Sequence, residues 1–566
     1  MNEYKKEVID MLHEVTKLEK DKIDKLMEKP PSLEFGDYAF PCFILSKDIR
    51  KTPNLVAEYV LGKLQPTDRI EKIKTEGPYV NFFVNRKEFN KDVIVNVWKH
   101  KGNYGTVEDD DEKVMVEYSQ PNTHKAFHVG HLRNVSIGDS IVKIMKSQGK
   151  EVIGANYIGD VGAHIAKCLW YYKKFYKGKV PKNNKGEWLG KLYTKAIQKL
   201  DENEEYKEEV SEVLQKLESE NDNDIQKLWR KTKKWSIKDF KEIYGWLDVK
   251  FNKYFYESEV EKDGKKLVEK YKKKRLFKES EGALIMDLEE YGLGVFLVLK
   301  SDGTSLYSTK DLALAAKKFK EYKIDRSLYV VGSEQKTYFQ QLFKTLELMG
   351  FKQADKCEHI SYELVTLPDG KMSSREGNVI YFSELKEKVM KKLEKEVKKR
   401  HKKWTKKKTK KTAKQIALGA LKFGMTLQDP GRIITFNLDE WTSFDGETGP
   451  YVQYACARIN SMLRKYKDNV QTPEYGRLNT GEEQRLISMI EEYPDKVSEA
   501  ASSYKPSIIA RHILDIAQLF NEFYHKYPVL RSEDGVKEPR IMLIRAVKQV
   551  LENGLGLLGI KAPEEM

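Results

Sequence analysis

The run Lys113-Val114-Met115-Val116-Glu117-Tyr118-Ser119-Gln120-Pro121-Asn122-Thr123-His124-Lys125-Ala126-Phe127-His128-Val129-Gly130-His131 decides the reading of the fold. Residues 114–118 are apolar and β-favouring, as a buried strand of a parallel sheet requires. Pro121 and Asn122 break the strand and start a loop. Beyond it, Leu132, Val135, Val142 and Met145 recur on one helical face, and Gly149 marks a C-cap. Two histidines, a glycine and a lysine therefore stand at a strand–loop–helix junction. Such a junction turns backbone N–H groups and the positive helix end toward an anion, usually phosphate. Two surface histidines beside a turn is the competing reading, because a four-residue motif recurs by chance.

At 566 residues the chain has room for roughly three or four domains. With 40% hydrophobic and 33% charged residues its composition is that of a soluble globular protein, and no run approaches a span of ~20 apolar residues. Met1–Glu7 lacks a signal-peptide core. The scattered Cys42, Cys168, Cys357 and Cys456 form no C-x-x-C pair, so reduced thiols, no structural metal site and a cytoplasmic location are expected. A net charge of +15 favours a polyanionic partner, although a solvated lysine-rich surface explains it equally.

Residues 1–108 read as a small α+β domain. Its Gly77-Pro78-Tyr79-Val80-Asn81-Phe82-Phe83-Val84 is a turn and a strand, with Phe82 and Val84 packing and Tyr79 and Asn81 exposed on the other face. Residues 109–397 alternate strands and helices as a doubly wound α/β sheet does, interrupted by a polar helical insertion at about 175–280. The sheet is expected to resume at 283–286 and 295–299, with Asp302-Gly303 as a turn. Residues 398–414 carry eleven Lys and Arg and no acid, which reads as a basic linker and a candidate phosphate contact. Residues 415–566 read as helices throughout.

His128-Val129-Gly130-His131 resembles the H-x-G-H signature of class I aminoacyl-tRNA synthetases, and Lys371-Met372-Ser373 resembles the opening of their second signature, about 240 residues on. The resemblance implies a Rossmann-like class I core that holds ATP through His128, Gly130, His131, Lys371, Met372 and Ser373. Ser374 stands where the family's second lysine would be. Arginyl-tRNA synthetases often lack that lysine and carry one before the first signature, where Lys125 stands here. Lys125, His128, His131 and Lys371 are then the expected catalytic set, with Arg375 a weaker candidate. The likeness to the arginyl family runs from end to end: the 77–83 segment resembles its N-terminal hallmark, and Gly449-Pro450-Tyr451-Val452-Gln453-Tyr454-Ala455-Cys456-Ala457-Arg458 resembles the opening of its anticodon-reading bundle. It implies tRNA contacts at Tyr79, Asn81, Tyr451, Tyr454, Arg458 and Met566, with core packing the rival role for the tyrosines. Family positions for arginine fall on Glu117, Asn122, Tyr307, Asp311 and Gln335. A guanidinium is planar with five donors, so a selective pocket needs carboxylates in fork geometry.

The expected activity is ligation of L-arginine to its tRNA, using ATP with Mg2+ carried on the phosphates and no dedicated metal site. The resemblance also implies that activation needs bound tRNA, and a monomer is expected. Two rivals stay open: a class I synthetase for another amino acid, and an inactive RNA-binding protein on the same fold.

Overall fold

The computed structural model describes residues 3–108, 110–219, 221, 223–368, 370–371 (backbone only), 379–466 and 473–566. The N-terminal domain has helix α1 (Glu3–Thr16), strand β1 (Tyr38–Pro41), helix α2 (Pro53–Leu61), strands β2 (Ile70–Glu76) and β3 (Tyr79–Val84), and helix α3 (Arg86–His100). Its sheet runs β1-β3-β2, antiparallel throughout. Phe82 and Val84 are buried as expected. Asn81 is buried too, contrary to the exposure expected of it: it lies in the middle strand between Ala39 of β1 and Lys74 of β2, while Tyr79 and Phe83 on the same face are half-buried.

The central sheet contains β4 (Asp110–Glu117), β5 (Lys150–Ile158), β6 (Lys253–Tyr256), β10 (Arg326–Gly332) and β11 (Cys357–Tyr362). Its order is β11-β10-β4-β5-β6 and every pairing is parallel. The chain winds outward from β4 through helix α4 (Val129–Ser147) to β5, then returns to lay β10 on the other side of β4. The β4/β10 boundary is therefore the topological switch point, where a crevice opens beyond the strands' carboxyl ends.

Helices α5 (Ala163–Lys174), α6 (Lys185–Glu202), α7 (Tyr206–Glu218) and α8 (Asp224–Leu247) form the helical insertion. Two expectations need correction. Residues 253–256, inside the expected insertion, are sheet strand β6. Strands β7 (Lys278–Ser280), β8 (Ala283–Asp287) and β9 (Val295–Leu299) follow helix α9 (Glu257–Lys273) and form an antiparallel sheet of their own. Local hydrophobicity marks a strand but does not say which sheet it joins. Helix α10 (Tyr307–Tyr322) precedes β10 and helix α11 (Lys336–Leu348) follows it.

Residues 398–414, expected as a linker, are instead the last turn of α12 (Phe382–Arg400), a short turn, and the start of α13 (Lys406–Thr426). Thr405 caps α13 by accepting from Lys408 N–H at 3.3 Å, and Thr409, Thr412 and Ala413 are buried. Their packing holds the segment in a helix despite charge repulsion along it. The bundle continues with α14 (Gly449–Lys465), α15 (Gly481–Ser503), α16 (Pro506–Lys526) and α17 (Lys537–Leu557). One apolar core runs from the N-terminal domain into this bundle, and Asn90 donates to the Leu478 carbonyl across the junction at 3.0 Å.

A buried cation ties the bundle to the central core. Lys422 of α13, wholly enclosed, reaches Asp139 of α4 at 3.0 Å and the Gly559 carbonyl at 3.1 Å. Lys143 also pairs with Asp139, so losing Lys422 leaves that carboxylate partly compensated and costs less than the roughly 3–5 kcal/mol of breaking a lone buried pair. Lys422→Met should therefore lower the thermal midpoint by several degrees. The Lys422→Met/Asp139→Asn double variant should recover part of that loss in the same calorimetric scan.

Candidate active site

The crevice is built from the loop that leaves β4. Ser119, Gln120 and His124 all take positive φ angles, of 77°, 39° and 61°. Three non-glycine residues in that region within six positions form a strained loop that tertiary contacts must hold. Asn134 of α4 supplies one such hold: its carbonyl oxygen accepts from Ser119 N–H, and its amide donates to the Val330 carbonyl at 2.8 Å. His124 is locked between Thr123 and Thr232, its two ring nitrogens 3.1 and 2.8 Å from their hydroxyls.

The signature histidines cap α4. His128 Nδ1 accepts from Gly130 N–H at 3.1 Å, and His131 Nδ1 accepts from His128 N–H at 3.2 Å. Each ring thereby satisfies backbone donors that a helix start leaves open. An Nδ1 that accepts cannot carry the proton, so each neutral imidazole bears it on Nε2. Burial, then the nearby Lys125 ammonium, holds His128 down to about 4. Burial and the neighbouring His128 hold His131 well below the usual histidine range. At neutral pH both are uncharged N–H donors. Phe127 stacks on His131 with ring centres 4.8 Å apart, and the Lys125 ammonium lies 5.3 Å from the Tyr193 ring.

The second signature loop is bracketed against the first. Arg133 of α4, wholly buried, donates to the carbonyls of Glu363 at 2.7 Å, Leu364 at 3.1 Å and Arg432 at 2.7 Å. On the far side, Val129 N–H donates to Ile380 at 3.2 Å and Phe382 N–H to Phe127 at 3.0 Å. Both flanks of residues 371–378 are thus pinned to α4. The Lys371 side chain, Met372, Ser373 and the departure at Ser374, with Arg375, lie outside the described residues.

Residues expected around arginine converge on the switch point. Glu117 ends β4, and its carboxylate meets the buried Lys318 ammonium of α10 at 2.6 Å. Gln120 donates to the same carboxylate at 3.2 Å. Asp311, on the same helix, accepts from the Tyr338 hydroxyl at 2.5 Å. Burial pushes the Asp311 carboxyl up to about 7; Tyr338 opposes this, the charges of Glu117 and Glu257 add to it, and Lys318 opposes it. Lys310 compensates Glu257 at 2.9 Å. Two buried lysines thus stand among three carboxylates, leaving one negative charge unmatched. Asn122 bridges to Gly159, where a Cβ would lie 2.1 Å from the Asn122 carbonyl oxygen. Tyr307 at the start of α10, near Glu257 and Asp311, and Gln335 after β10 are exposed. Arg133, Asn134 and Lys318 went unread in sequence. Arg133 and Lys318 were legible only as charged residues inside helices, and their partners are distant in the chain.

In the bundle, the Arg458 guanidinium lies between the Tyr454 and Tyr524 rings at 4.8 and 4.7 Å and donates to Asn521. Tyr451 packs on the bundle core, and Met566 packs on the core around α4. Tyr79 meets the exposed Phe43 edge-on at 5.8 Å.

Comparison with known proteins agrees with this architecture. Residues 93–430 match the family model for the catalytic domain of class I (R) tRNA synthetases, 452–566 the DALR anticodon binding domain, and 2–84 the arginyl tRNA synthetase N terminal domain. The arginine–tRNA ligase of Bdellovibrio bacteriovorus is 38% identical over 96% of this chain and 95% of its own. That of Clostridioides difficile is 37% identical over 100% of both. The solved arginyl-tRNA synthetase of Thermus thermophilus superposes with a TM-score of 0.84 at 26% identity, covering 99% of this chain and 100% of that one. With the signature, the bundle and the N-terminal domain in one continuous match, the chain belongs to the arginyl-tRNA synthetase family.

Proposed function

We propose that the crevice carries out arginine–tRNA ligation with its residues in the following roles. Glu117 and Asp311 pair with the guanidinium of L-arginine, and Tyr307 closes over it. Asn122 and Gln335 hold the amino-acid end at the crevice mouth. The uncompensated carboxylate of Asp311 carries this reading: the cavity is one positive charge short, and arginine supplies a permanent one with donors in a planar fork. Lysine would leave part of that fork unpaired, which costs several kcal/mol, on the order of 10⁴ in specificity.

The arginine carboxylate then attacks the α-phosphate of ATP, giving arginyl-adenylate and pyrophosphate, and a 3′-terminal hydroxyl of tRNA displaces AMP. No enzyme nucleophile is required, so catalysis rests on position and charge. The Nε2–H groups of His128 and His131 donate to phosphate oxygens, and their neutrality avoids a fixed positive charge that would hold pyrophosphate back. Gly130 belongs to the helix start on which ATP rests. Lys125 and Lys371 supply the cations, with Met372 and Ser373 shaping the loop over the nucleotide; Lys125 takes the part of the lysine missing at Ser374. Magnesium would come in on the ATP phosphates, where it would neutralise charge. We assign tRNA contacts to Tyr79 in the N-terminal domain, and to Tyr451, Tyr454, Arg458 and Met566 in the bundle; the burial of Asn81 removes it from that set. The four free, buried cysteines suit a reducing cytoplasm.

The direct test is arginine-dependent ATP–pyrophosphate exchange, with and without total tRNA, and with lysine and cysteine as controls. Exchange is expected with arginine alone among the three, and only when tRNA is present; exchange with lysine instead would remove the pocket assignment. Asp311→Ala should abolish arginine activation while tRNA binding by filter retention stays nearly intact.

The raised Asp311 carboxyl has a signed pH consequence. Arginine binds the carboxylate, so below pH 7 each unit of acidity costs up to about tenfold in affinity, with a proton released on binding. Calorimetric titration of arginine between pH 5.5 and 8 should show the dissociation constant falling as pH rises and levelling above about 7.5. Asp311→Asn should bind weakly and without that slope.

A further inference from the structure

A cavity of about 860 Å³ opens beside the signature, with Lys125 and Phe127 at one end and α13 along one wall. Neither the arginine pocket nor the capped histidines account for it. Lys407, Lys410, Lys411 and Lys414 line the wall at spacings of three, one and three residues, which puts all four on one helical face. Among the described residues none of the four makes an ion pair, whereas Lys408 on the adjoining face pairs with Glu565 at 2.5 Å. Across the cavity, burial and the charges of Lys414 and Lys410 hold the Lys386 ammonium below the usual lysine range, against the pull of Glu242. Cations are crowded here without matching anions.

The acids on the walls do not cancel that crowding. Glu187 is paired with Lys191 at 2.9 Å, and Asp239 accepts from Gly186 N–H at 2.6 Å at the start of α6. Glu242 faces Lys238 at 3.8 Å. Glu387 and Glu394 remain, against the four α13 lysines and Lys386. The floor is apolar, with Phe240, Ile243, Trp246 and Met390. A lysine wall over an aromatic floor suits a chain of phosphates bearing flat, partly apolar groups.

Position identifies the occupant. Helix α13 packs directly on α14, the first helix of the bundle: a Cβ at Gly449 would lie 2.2 Å from the Gly419 carbonyl oxygen. The lysine face therefore runs from the base of the bundle to the loop that precedes the signature helix. An RNA held at the bundle and reacting at the signature has to cross this interval.

We propose that this cleft is a binding groove for the sugar–phosphate backbone of the tRNA between the bundle and the reaction centre. The α13 lysines contact phosphates, and the apolar floor lies beneath ribose and base faces. The inference rests on tRNA being the substrate and adds a site outside the arginine and ATP pockets.

The test uses the full chain and compares Lys410→Ala/Lys414→Ala with Lys408→Ala, which changes the adjoining face. Direct tRNA binding is measured by fluorescence anisotropy across a salt series, and the KM values for arginine and ATP by exchange at saturating tRNA. The double variant is expected to bind tRNA about tenfold more weakly at 0.1 M salt, with the slope of log K against log salt reduced by about 1.5 to 2. Lys408→Ala should keep the wild-type slope, and all KM values for arginine and ATP should hold. An unchanged affinity and slope in the double variant overturns the groove. So does a raised KM for ATP at unchanged tRNA affinity, which would make the cavity a nucleotide subsite. Binding is read without charging, so a wild-type chain that binds tRNA but charges no arginine overturns the ligase reading while the slope still judges the groove.

Discussion

A helix that begins at a sheet's switch point leaves backbone N–H groups open, and here two imidazoles meet them. That substitution of histidine for the usual hydroxyl or carboxylate cap ties structure to chemistry. Because His128 Nδ1 accepts from Gly130 N–H and His131 Nδ1 from His128 N–H, both rings are held in one tautomer with Nε2–H outward. The helix start is capped and two neutral donors are aimed by the same pair of contacts. Arg133, two residues further on, donates to the carbonyls of Glu363 and Leu364, in the segment leading to the second signature, so α4 holds elements of both signatures.

Charge bookkeeping organises the neighbouring pocket. Lys318 pairs with Glu117 and Lys310 with Glu257 inside the protein, which leaves Asp311 as the acid without a lysine of its own. A pocket with every acid paired would have no net attraction for a cation, and one with every acid bare would protonate. Leaving one charge unmatched makes the site selective and also pH-dependent. Tyr338 orients that carboxylate with a hydrogen bond from α11.

Much of the fold was legible because its signals are local. The apolar run at 114–118, the break at Pro121 and the periodicity from Leu132 specify strand, loop and helix without reference to anything distant. The C-terminal helices announce themselves by amphipathic spacing and by Pro and Gly near their ends. Three readings went astray where the deciding contact is remote. Residues 253–256 join the central sheet by pairing with β5, which lies a hundred residues earlier. Residues 283–299 pair among themselves instead of with that sheet. The basic run at 398–414 stays helical because Thr409, Thr412 and Ala413 are buried against neighbours that charge counting ignores.

By itself, the sequence determined the chemistry on offer: a signature of two histidines and a glycine, a lysine just before it, and acids at 117 and 311. Residue types and short spacings carry that information, since they set charge, donors and helical face. Only the tertiary structure decided how those groups behave. That His128 and His131 are neutral, that Glu117 is already paired by Lys318, that Asp311 is not, and that four lysines of α13 face a cavity reaching the signature all depend on burial and on partners far along the chain. Desolvation and long-range pairing act through space, and a sequence read along its length carries no coordinate for either.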